Sequence, residues 1–174
     1  VALVTGASSG LGARFAVALA GRGANVAIAA RRMEKLEETK RAVEALGRTC
    51  LAIKCDVTKT VEITYAVNET VDVLGGIDIL VNNAGTAVKA HAESQTDEEW
   101  LRVINTNLNA SYFFCREAAK IMIPKKYGKI INIGSIHSNA GMMGSEISAY
   151  CASKGGVQML TRQLAVEWAK HNIT

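Results

Sequence analysis

Short apolar runs alternate along this chain with longer segments in which apolar residues recur at helical spacing. The apolar runs occupy residues 1–5, 25–30, 49–55, 77–81 and 129–134, and the helical patterns occupy 10–21, 33–46, 60–74, 96–123 and a segment that begins near Ser148. Apolar strands that alternate with amphipathic helices form parallel sheets covered by helices on both faces. The pattern therefore predicts an α/β fold in three layers, built on a doubly wound parallel sheet.

Local signals mark the ends of several of these helices. Thr96 is followed three residues later by Glu99, and this spacing predicts a capping box at the start of the fourth helix. Pro124 has no N–H group to donate, so we expect it to end that helix. In the first helix one face carries the apolar side chains, which we expect to be buried: Leu11, Phe15, Ala18 and Leu19.

Length and composition indicate one domain over residues 1–174. Of the 174 residues, 49% are hydrophobic and one is proline, which suits a large core and excludes a disordered chain. Because the chain starts inside an apolar run and ends where residues 172–174 resemble the start of another strand, we expect the domain to be incomplete at both ends.

The net charge and the cysteines exclude several further classes of protein. The net charge of +4 comes from scattered basic residues, so we expect no nucleic-acid partner. No apolar run is long enough to cross a membrane. The cysteines have neither C-x-x-C spacing nor histidines at ligand spacing. They predict free thiols, no metal site and a cytoplasmic protein.

A glycine-rich turn follows the first apolar run and opens the first helix. Glycines allow main-chain N–H groups to approach a ligand closely, and a helix N-terminus favours an anion. The stretch from Thr5 to Gly12 therefore reads as a pyrophosphate cradle. It resembles the T-G-x-x-x-G-x-G fingerprint of the short-chain dehydrogenase/reductase family, in its non-extended branch. The resemblance implies a Rossmann-type fold and a nicotinamide cofactor held by the turn residues Gly6, Ser8, Ser9, Gly10, Leu11 and Gly12.

Two further segments extend the resemblance to the cofactor site. Asn82-Asn83-Ala84-Gly85 matches the family's N-N-A-G motif, which implies cofactor contacts from Asn83, Ala84 and Gly85. Asp56 and Val57, at the end of the third strand, occupy the family's adenine-binding position; a turn or N-cap role for Asp56 is the alternative.

The end of the second strand predicts which cofactor is preferred. Dinucleotide folds that bind NAD place a carboxylate here for the ribose hydroxyls. This chain has Ala30 followed by Arg31 and Arg32. A guanidinium pairs with a 2′-phosphate, which a carboxylate would repel. We therefore expect NADP(H) to be preferred over NAD(H), with Arg31 as the main partner; the alternative is that both arginines form a solvated first turn.

Tyr150 and Lys154 are the candidate chemical centre. At i, i+4 spacing both side chains lie on one face of a helix. A nearby ammonium favours the phenolate and so lowers the pKa of a tyrosine, which suits it to proton transfer. In this position the pair resembles the family's Y-x-x-x-K, which implies contacts of both residues with the cofactor and of Tyr150 with the substrate.

The resemblance supplies two more catalytic residues. Ser135 matches the serine that bonds the substrate oxygen, with Ser138 as the alternative if the loop is shifted. Asn107, rather than Asn105 or Asn109, aligns with the asparagine that holds a water near the lysine. The implied catalytic set is therefore Asn107, Ser135, Tyr150 and Lys154.

These features predict an NADP-dependent oxidoreductase that interconverts a secondary alcohol and its ketone. Segments 86–95 and 136–148 are expected to face the substrate, and their mixed polarity fits a sugar acid or polyol as well as a 3-oxoacyl chain. A catalytically silent NADP(H)-binding sensor is the alternative, and an extended-branch epimerase would need a T-G-x-x-G-x-x-G turn. The family analogy also implies a homo-oligomer, a dimer or tetramer, paired through the fourth and fifth helices.

Overall fold

A computed structural model describes residues 1–174 and contains one parallel sheet of five strands in the order β3-β2-β1-β4-β5. The strands are β1 Ala2–Thr5, β2 Val26–Ala30, β3 Cys50–Lys54, β4 Ile79–Asn82 and β5 Lys129–Asn132. The main helices are α1 Gly10–Ala20, α2 Met33–Glu44, α3 Thr60–Leu74, α4 Asp97–Ile104, α5 Ala110–Lys125 and α6 Ser148–Trp168. The predicted doubly wound α/β fold is confirmed.

The sheet separates two hydrophobic cores. On one face, Val4 and Ile28 of the strands pack with Ala16 of α1 and Leu36 of α2. On the other face, the strand side chains pack with α3, α5 and α6, where Phe114 is almost fully buried. Successive residues of a strand point to opposite faces, so a strand buried on both sides must be apolar throughout.

The strand order reverses between β1 and β4. The chain builds outward from β1 through β2 to β3, and then returns to place β4 and β5 on the other side of β1. Val4 of β1 pairs with Val81 of β4, and Thr5 pairs with Ala29 of β2. The segments that leave β1 and β4 diverge beyond this pairing, and a crevice opens at the carboxyl ends of the strands.

The buried face of α1 differs from the prediction. Of the predicted face, Phe15 and Leu19 are half-buried against the core, whereas Ala18 is exposed and Leu11 is 58% exposed. The fully buried positions are Gly12, Ala16 and Ala20. Small residues at i, i+4 and i+8 let the helix pack closely on the sheet, and a larger side chain at these positions would hold it away. Residue size, rather than apolar character, therefore selects the buried face.

The fourth predicted helix consists of three parts. Its capping box is confirmed, since the Thr96 hydroxyl accepts from the N–H of Glu99 and the Glu99 carboxylate accepts from the N–H of Thr96, each at 3.2 Å. A π-helical turn, Asn105–Asn109, separates α4 from α5. Pro124 lies inside the last turn of α5, which continues to Lys125, so the helix ends two residues beyond the predicted end at Ile123.

All four cysteines are free thiols, as expected. Burial raises the pKa values of Cys50, Cys55 and Cys115 to about 12, whereas Cys151 on α6 is half-buried. None of the helices combines the length and the apolar character that a membrane span needs.

Candidate active site

The glycine-rich turn brings its main chain against the end of β4. Gly10 has φ +60°, in the left-handed region that favours glycine. A Cβ on Gly12 would lie 2.4 Å from the carbonyl oxygen of Gly6, and a Cβ on Gly6 would lie 2.8 Å from the Cα of Ala84. These contacts are closer than any side chain permits, so the approach depends on glycine.

Hydrogen bonds tie the end of β4 to both neighbouring strands. The Thr5 hydroxyl oxygen accepts from the main-chain N–H groups of Asn83 and Ala84, each at 3.0 Å. The Asn83 amide donates back to the carbonyl oxygen of Thr5 at 3.0 Å. On the other side, the Asn82 amide donates to Asn132 Oδ1 of β5 at 2.8 Å. The crevice between β1 and β4 thus has a fixed floor.

A cleft of about 570 Å³ opens above this floor at the carboxyl edge of the sheet. Most of the residues expected to bind the cofactor line it: Gly6, Ser8, Ser9, Arg31, Arg32, Asp56, Val57, Asn83, Ala84 and Gly85. Gly10, Leu11 and Gly12, which belong to α1, lie outside the lining, and so do Tyr150 and Lys154 of α6. The volume is within the range of small-molecule sites.

The cleft fits a dinucleotide by its chemistry as well as its size. The close main-chain approach at Gly6 leaves space that a Cβ would fill, and the N-terminus of α1 follows the turn. Three arginines, Arg31, Arg32 and Arg102, line the same cleft, while Asp56 is its only carboxylate. Helix N-termini and guanidinium groups both favour phosphate.

The two adjacent arginines have different surroundings. Arg32 donates to the hydroxyl oxygens of Ser8 and Ser9, at 3.2 and 3.1 Å, and so bridges α2 to the glycine-rich turn. Arg31 is exposed and forms no hydrogen bond or ion pair within the protein. Its charge contributes to the lowered pKa of Asp56 across the cleft.

Asp56 combines a turn role with its place in the cleft. Its Oδ1 accepts from the N–H and the hydroxyl of Thr58, at 3.0 and 2.8 Å. Partial burial acts to raise the pKa of Asp56, but these hydrogen bonds and the charge of Arg31 outweigh it, so the pKa lies below its usual value. The carboxylate therefore stays ionised beside the arginines.

Tyr150 and Lys154 lie on the first turns of α6, at the same edge of the sheet. Lys154 is 5% exposed, and its Nζ donates to the carbonyl oxygen of Ile133, just after β5. The Nζ lies 5.7 Å from the centroid of the Tyr150 ring. Burial lowers the pKa of Lys154 below its ordinary value. The helix therefore presents a phenol and a buried amine together.

Ser135 and Ser138 lie at the two ends of a 3₁₀ turn, Ile136–Ser138, that follows β5. Ser135 precedes the turn, and its hydroxyl oxygen accepts from the N–H of His137 at 3.2 Å. Ser138 turns back, and its hydroxyl oxygen accepts from the N–H of Ser135 at the same distance. In each serine the hydroxyl proton remains available to a ligand.

Asn107 lies in the π-helical turn and is 1% exposed. Its Oδ1 accepts from the N–H of Thr86 at 2.8 Å, and its Nδ2 donates to Thr86 O and Ser153 Oγ, at 2.9 and 3.0 Å. Both protons of the side-chain amide are therefore used, and Oδ1 keeps one lone pair.

Two residues with structural importance at the site were missed in the sequence. Thr5 joins β1 to the end of β4, and Ser153 joins Asn107 to the carbonyl oxygen of Tyr150, to which its hydroxyl donates at 2.8 Å. Thr5 ends the first apolar run, and a hydroxyl residue there is a signal that could have identified it, because a buried hydroxyl needs a partner. Ser153 lies beside Lys154, outside any apolar run, and has no such signal.

Comparisons with known proteins agree with this geometry. The sequence profile of the family described as short chain dehydrogenase matches residues 1–174. The chain is 38% identical over 172 residues to gluconate 5-dehydrogenase from Gluconobacter oxydans, covering 99% of this chain and 66% of that protein. It is also 38% identical over 176 residues to a 3beta-hydroxysteroid dehydrogenase from Mediterraneibacter gnavus, covering 100% and 62%.

A solved structure shows the same architecture. The crystal structure of a gluconate 5-dehydrogenase from Burkholderia cenocepacia in complex with NADP and tartrate has a TM-score of 0.92 at 34% identity, over 99% of this chain and 67% of that chain. The chain spans about two thirds of the length of these relatives. From the match over its whole length, the chain belongs to the short-chain dehydrogenase family.

Proposed function

We propose that this protein is an NADP(H)-dependent oxidoreductase that interconverts a secondary alcohol and its ketone, with Tyr150 as the proton donor and acceptor. The observation that carries the proposal is the pairing of Tyr150 with the buried amine of Lys154, at the sheet edge that also carries the arginine-lined cleft. A protein that only bound a nucleotide would have no use for this pair.

Each member of the proposed catalytic set has a distinct task. NADP(H), when bound, supplies or accepts the hydride. Ser135 donates its hydroxyl proton, which has no partner within the protein, to the carbonyl oxygen, while its own oxygen accepts from the N–H of His137. Tyr150 donates a proton to that oxygen as it becomes an alkoxide. Lys154 places positive charge beside the phenol, and Asn107 holds the π-helical turn against α6.

The residues that line the cleft indicate which side chains and main-chain groups would bind the cofactor. The turn residues Gly6, Ser8 and Ser9 would hold the pyrophosphate, with Arg31 toward a 2′-phosphate. The gluconate 5-dehydrogenase structure bound to NADP supports the choice of cofactor. A fluorescence titration with NADPH and with NADH tests the preference. We expect tighter binding of NADPH, and equal affinities would leave the oxidoreductase proposal intact while removing the preference.

Replacing Tyr150 by Phe tests the catalytic assignment. The Tyr150→Phe variant should bind NADPH as the wild type does and lose turnover by about 100-fold or more, because general acid–base catalysis is worth factors of this size. Tyr127→Phe is the matched control, since Tyr127 is 46% exposed and precedes β5, at the opposite end of that strand from Ser135. Full activity in Tyr150→Phe would refute the assignment, and NADPH binding without turnover in the wild type would favour the silent sensor.

We also propose a homo-oligomer in the cytoplasm. Large apolar side chains are exposed on α4, α5 and α6, the helices expected to pair: Trp100, Leu101, Tyr112, Met159 and Val166. Exposed apolar side chains of this size are enriched at protein interfaces. Sedimentation of the full-length protein measures the assembly, and a monomer at micromolar concentration would contradict it.

A further inference from the structure

We infer that His137 binds a hydroxyl group on the substrate carbon next to the reacting carbon, and so selects polyol and sugar-acid substrates over 3-oxoacyl chains. This inference depends on the proposed function, because it concerns the same reaction centre. It decides between two substrate classes that the composition of the surrounding loops fits equally.

The placement of His137 beside Tyr150 is the first observation. The two rings meet edge to face, with their centroids 6.1 Å apart and an angle of 79° between their planes. The main-chain N–H of His137 also donates to Ser135 Oγ. His137 therefore contacts both groups that would hold the reacting oxygen, and a substrate atom one bond from the reacting carbon lies within reach of its ring.

The free nitrogen of the ring is the second observation. Nδ1 of His137 lies 3.3 Å from the carbonyl oxygen of Ala140. A carbonyl can only accept, so Nδ1 carries the proton and Nε2 is an acceptor in the neutral ring. Nε2 has no partner within the protein. The tether to Ala140 fixes the ring orientation and leaves one hydrogen-bonding atom free for a ligand.

Two other polar side chains of the neighbouring loops, Glu146 and Gln95, bond to loop residues, although Gln95 Nε2 has no partner. Glu146 pairs with Lys89 at 3.2 Å, and its carbonyl oxygen accepts from the N–H of Ala90. Gln95 Oε1 accepts from the hydroxyl of Ser148 at 3.3 Å. These contacts join the loops to each other. Within them His137 is the side chain that touches Tyr150 and keeps an unused hydrogen-bonding atom.

The chemistry of the two substrate classes differs at this position. A sugar acid or polyol carries a hydroxyl on the carbon beside the carbonyl, whereas a 3-oxoacyl chain carries a methylene group there. A site that bonds a substrate hydroxyl discriminates strongly against an analogue that lacks it, because the polar group of the site is then left unpaired. An acceptor at Nε2 therefore favours the hydroxylated substrate.

A matched pair of ketones and a matched pair of variants test the inference. The ketones are 3-hydroxybutan-2-one and butan-2-one, which differ only in the adjacent hydroxyl, and the readout is the ratio of their kcat/KM values with NADPH and the full-length protein. In His137→Asn the amide takes the place of Nδ1, and in His137→Gln it takes the place of Nε2. NADPH affinity and thermal unfolding of both variants verify that the fold is intact.

We expect His137→Asn to lower the ratio about tenfold, the factor that one hydrogen bond of ordinary strength supplies. His137→Gln should keep most of the wild-type ratio. An unchanged ratio in His137→Asn, or an equal loss in both variants, would overturn the inference while wild-type turnover still supports the proposed function. If the wild type turned over neither ketone, both the inference and the proposed function would be overturned.

Discussion

At the residue scale, the adjacent residues Arg31 and Arg32 differ in their hydrogen-bonding partners and therefore in their roles. Arg32 is engaged by the hydroxyls of Ser8 and Ser9, so its charge helps to fix the glycine-rich turn. Arg31 lines the same cleft without a hydrogen-bonding partner. The sequence shows two identical residues after β2, and only the structure separates the one that supports the turn from the one that is free to meet a ligand.

Arg31→Asp should therefore weaken NADPH binding relative to NADH. A charge-assisted hydrogen bond is worth about 1.5–3 kcal/mol, so we expect the affinity ratio to change by about 10-fold or more. Titration of both cofactors measures the ratio. Arg22→Asp makes the same charge change at an exposed position outside the cleft and serves as the control. A ratio that moves equally in both variants would remove Arg31 as the phosphate partner.

At the scale of the element, the helices show where periodicity is informative and where it is not. The capping box fixes the start of α4, because its two hydrogen bonds involve residues that the sequence names. The π-helical turn at Asn105–Asn109 leaves no such signal, since one extra residue in a turn changes the apolar spacing only slightly. Asn107 lies in this turn, and its side chain forms hydrogen bonds with Thr86 and Ser153.

Helix α5 carries a buried carboxylate with two cationic neighbours. Glu117 has a side chain that is 7% exposed, and it accepts from Arg116 Nε at 2.8 Å and from Lys120 Nζ at 2.6 Å. Burial acts to raise the pKa of Glu117, but the hydrogen bonds from Lys120 and Arg116 outweigh it and hold the pKa below its ordinary value. The ionised form is thus favoured in the folded state.

Glu117→Gln should destabilise the domain at neutral pH by about 1 kcal/mol, the scale of one hydrogen bond. A carboxyl group with a lowered folded pKa contributes stability above its unfolded pKa and loses it as the pH falls through the folded value. The difference between variant and wild type should therefore shrink below about pH 4.5. Denaturant unfolding from pH 7 to pH 4 measures it, with the exposed Glu93→Gln as control. A difference independent of pH would contradict the ionic role.

At the scale of the whole molecule, the sheet is joined at the point where its strand order reverses. Thr5 is 1% exposed, and its hydroxyl receives two main-chain N–H groups from the segment after β4. One side chain thus connects the part of the chain that builds outward through β2 and β3 with the part that builds through β4 and β5.

Thr5→Val should lower both the free energy of unfolding and the affinity for NADPH. The substitution keeps the shape but leaves the N–H of Ala84 without an acceptor and the N–H of Asn83 with only the carbonyl oxygen of Val81. A buried group that loses its partner costs about 1–3 kcal/mol. Thr5→Ser retains the hydroxyl and is the matched control. Chemical denaturation and cofactor titration measure the two effects. A Val variant as stable as the Ser variant would show that the hydroxyl contributes nothing to the junction.

The sequence predicts the succession of strands and helices along the chain, because each strand is built around a short apolar run and the helices between them have apolar residues at helical spacing. It also predicts most of the residues that line the cleft, since the glycines and asparagines follow strand ends directly. It does not predict the buried face of α1, where packing distance excludes Leu11 in favour of Gly12. Nor does it predict the partners of Lys154 or His137, because these contacts depend on how loops fold over the sheet edge.

The reactivity of the three buried thiols is a probe of local unfolding in the domain. A thiol with a pKa of about 12 is almost never ionised at neutral pH, and its burial keeps alkylating reagents away, so it reacts only when the structure opens. Cys50 lies in the outermost strand β3 and Cys115 lies in α5 beneath β4. Their alkylation rates, compared with that of half-buried Cys151, would rank the edge of the sheet against its centre by local stability.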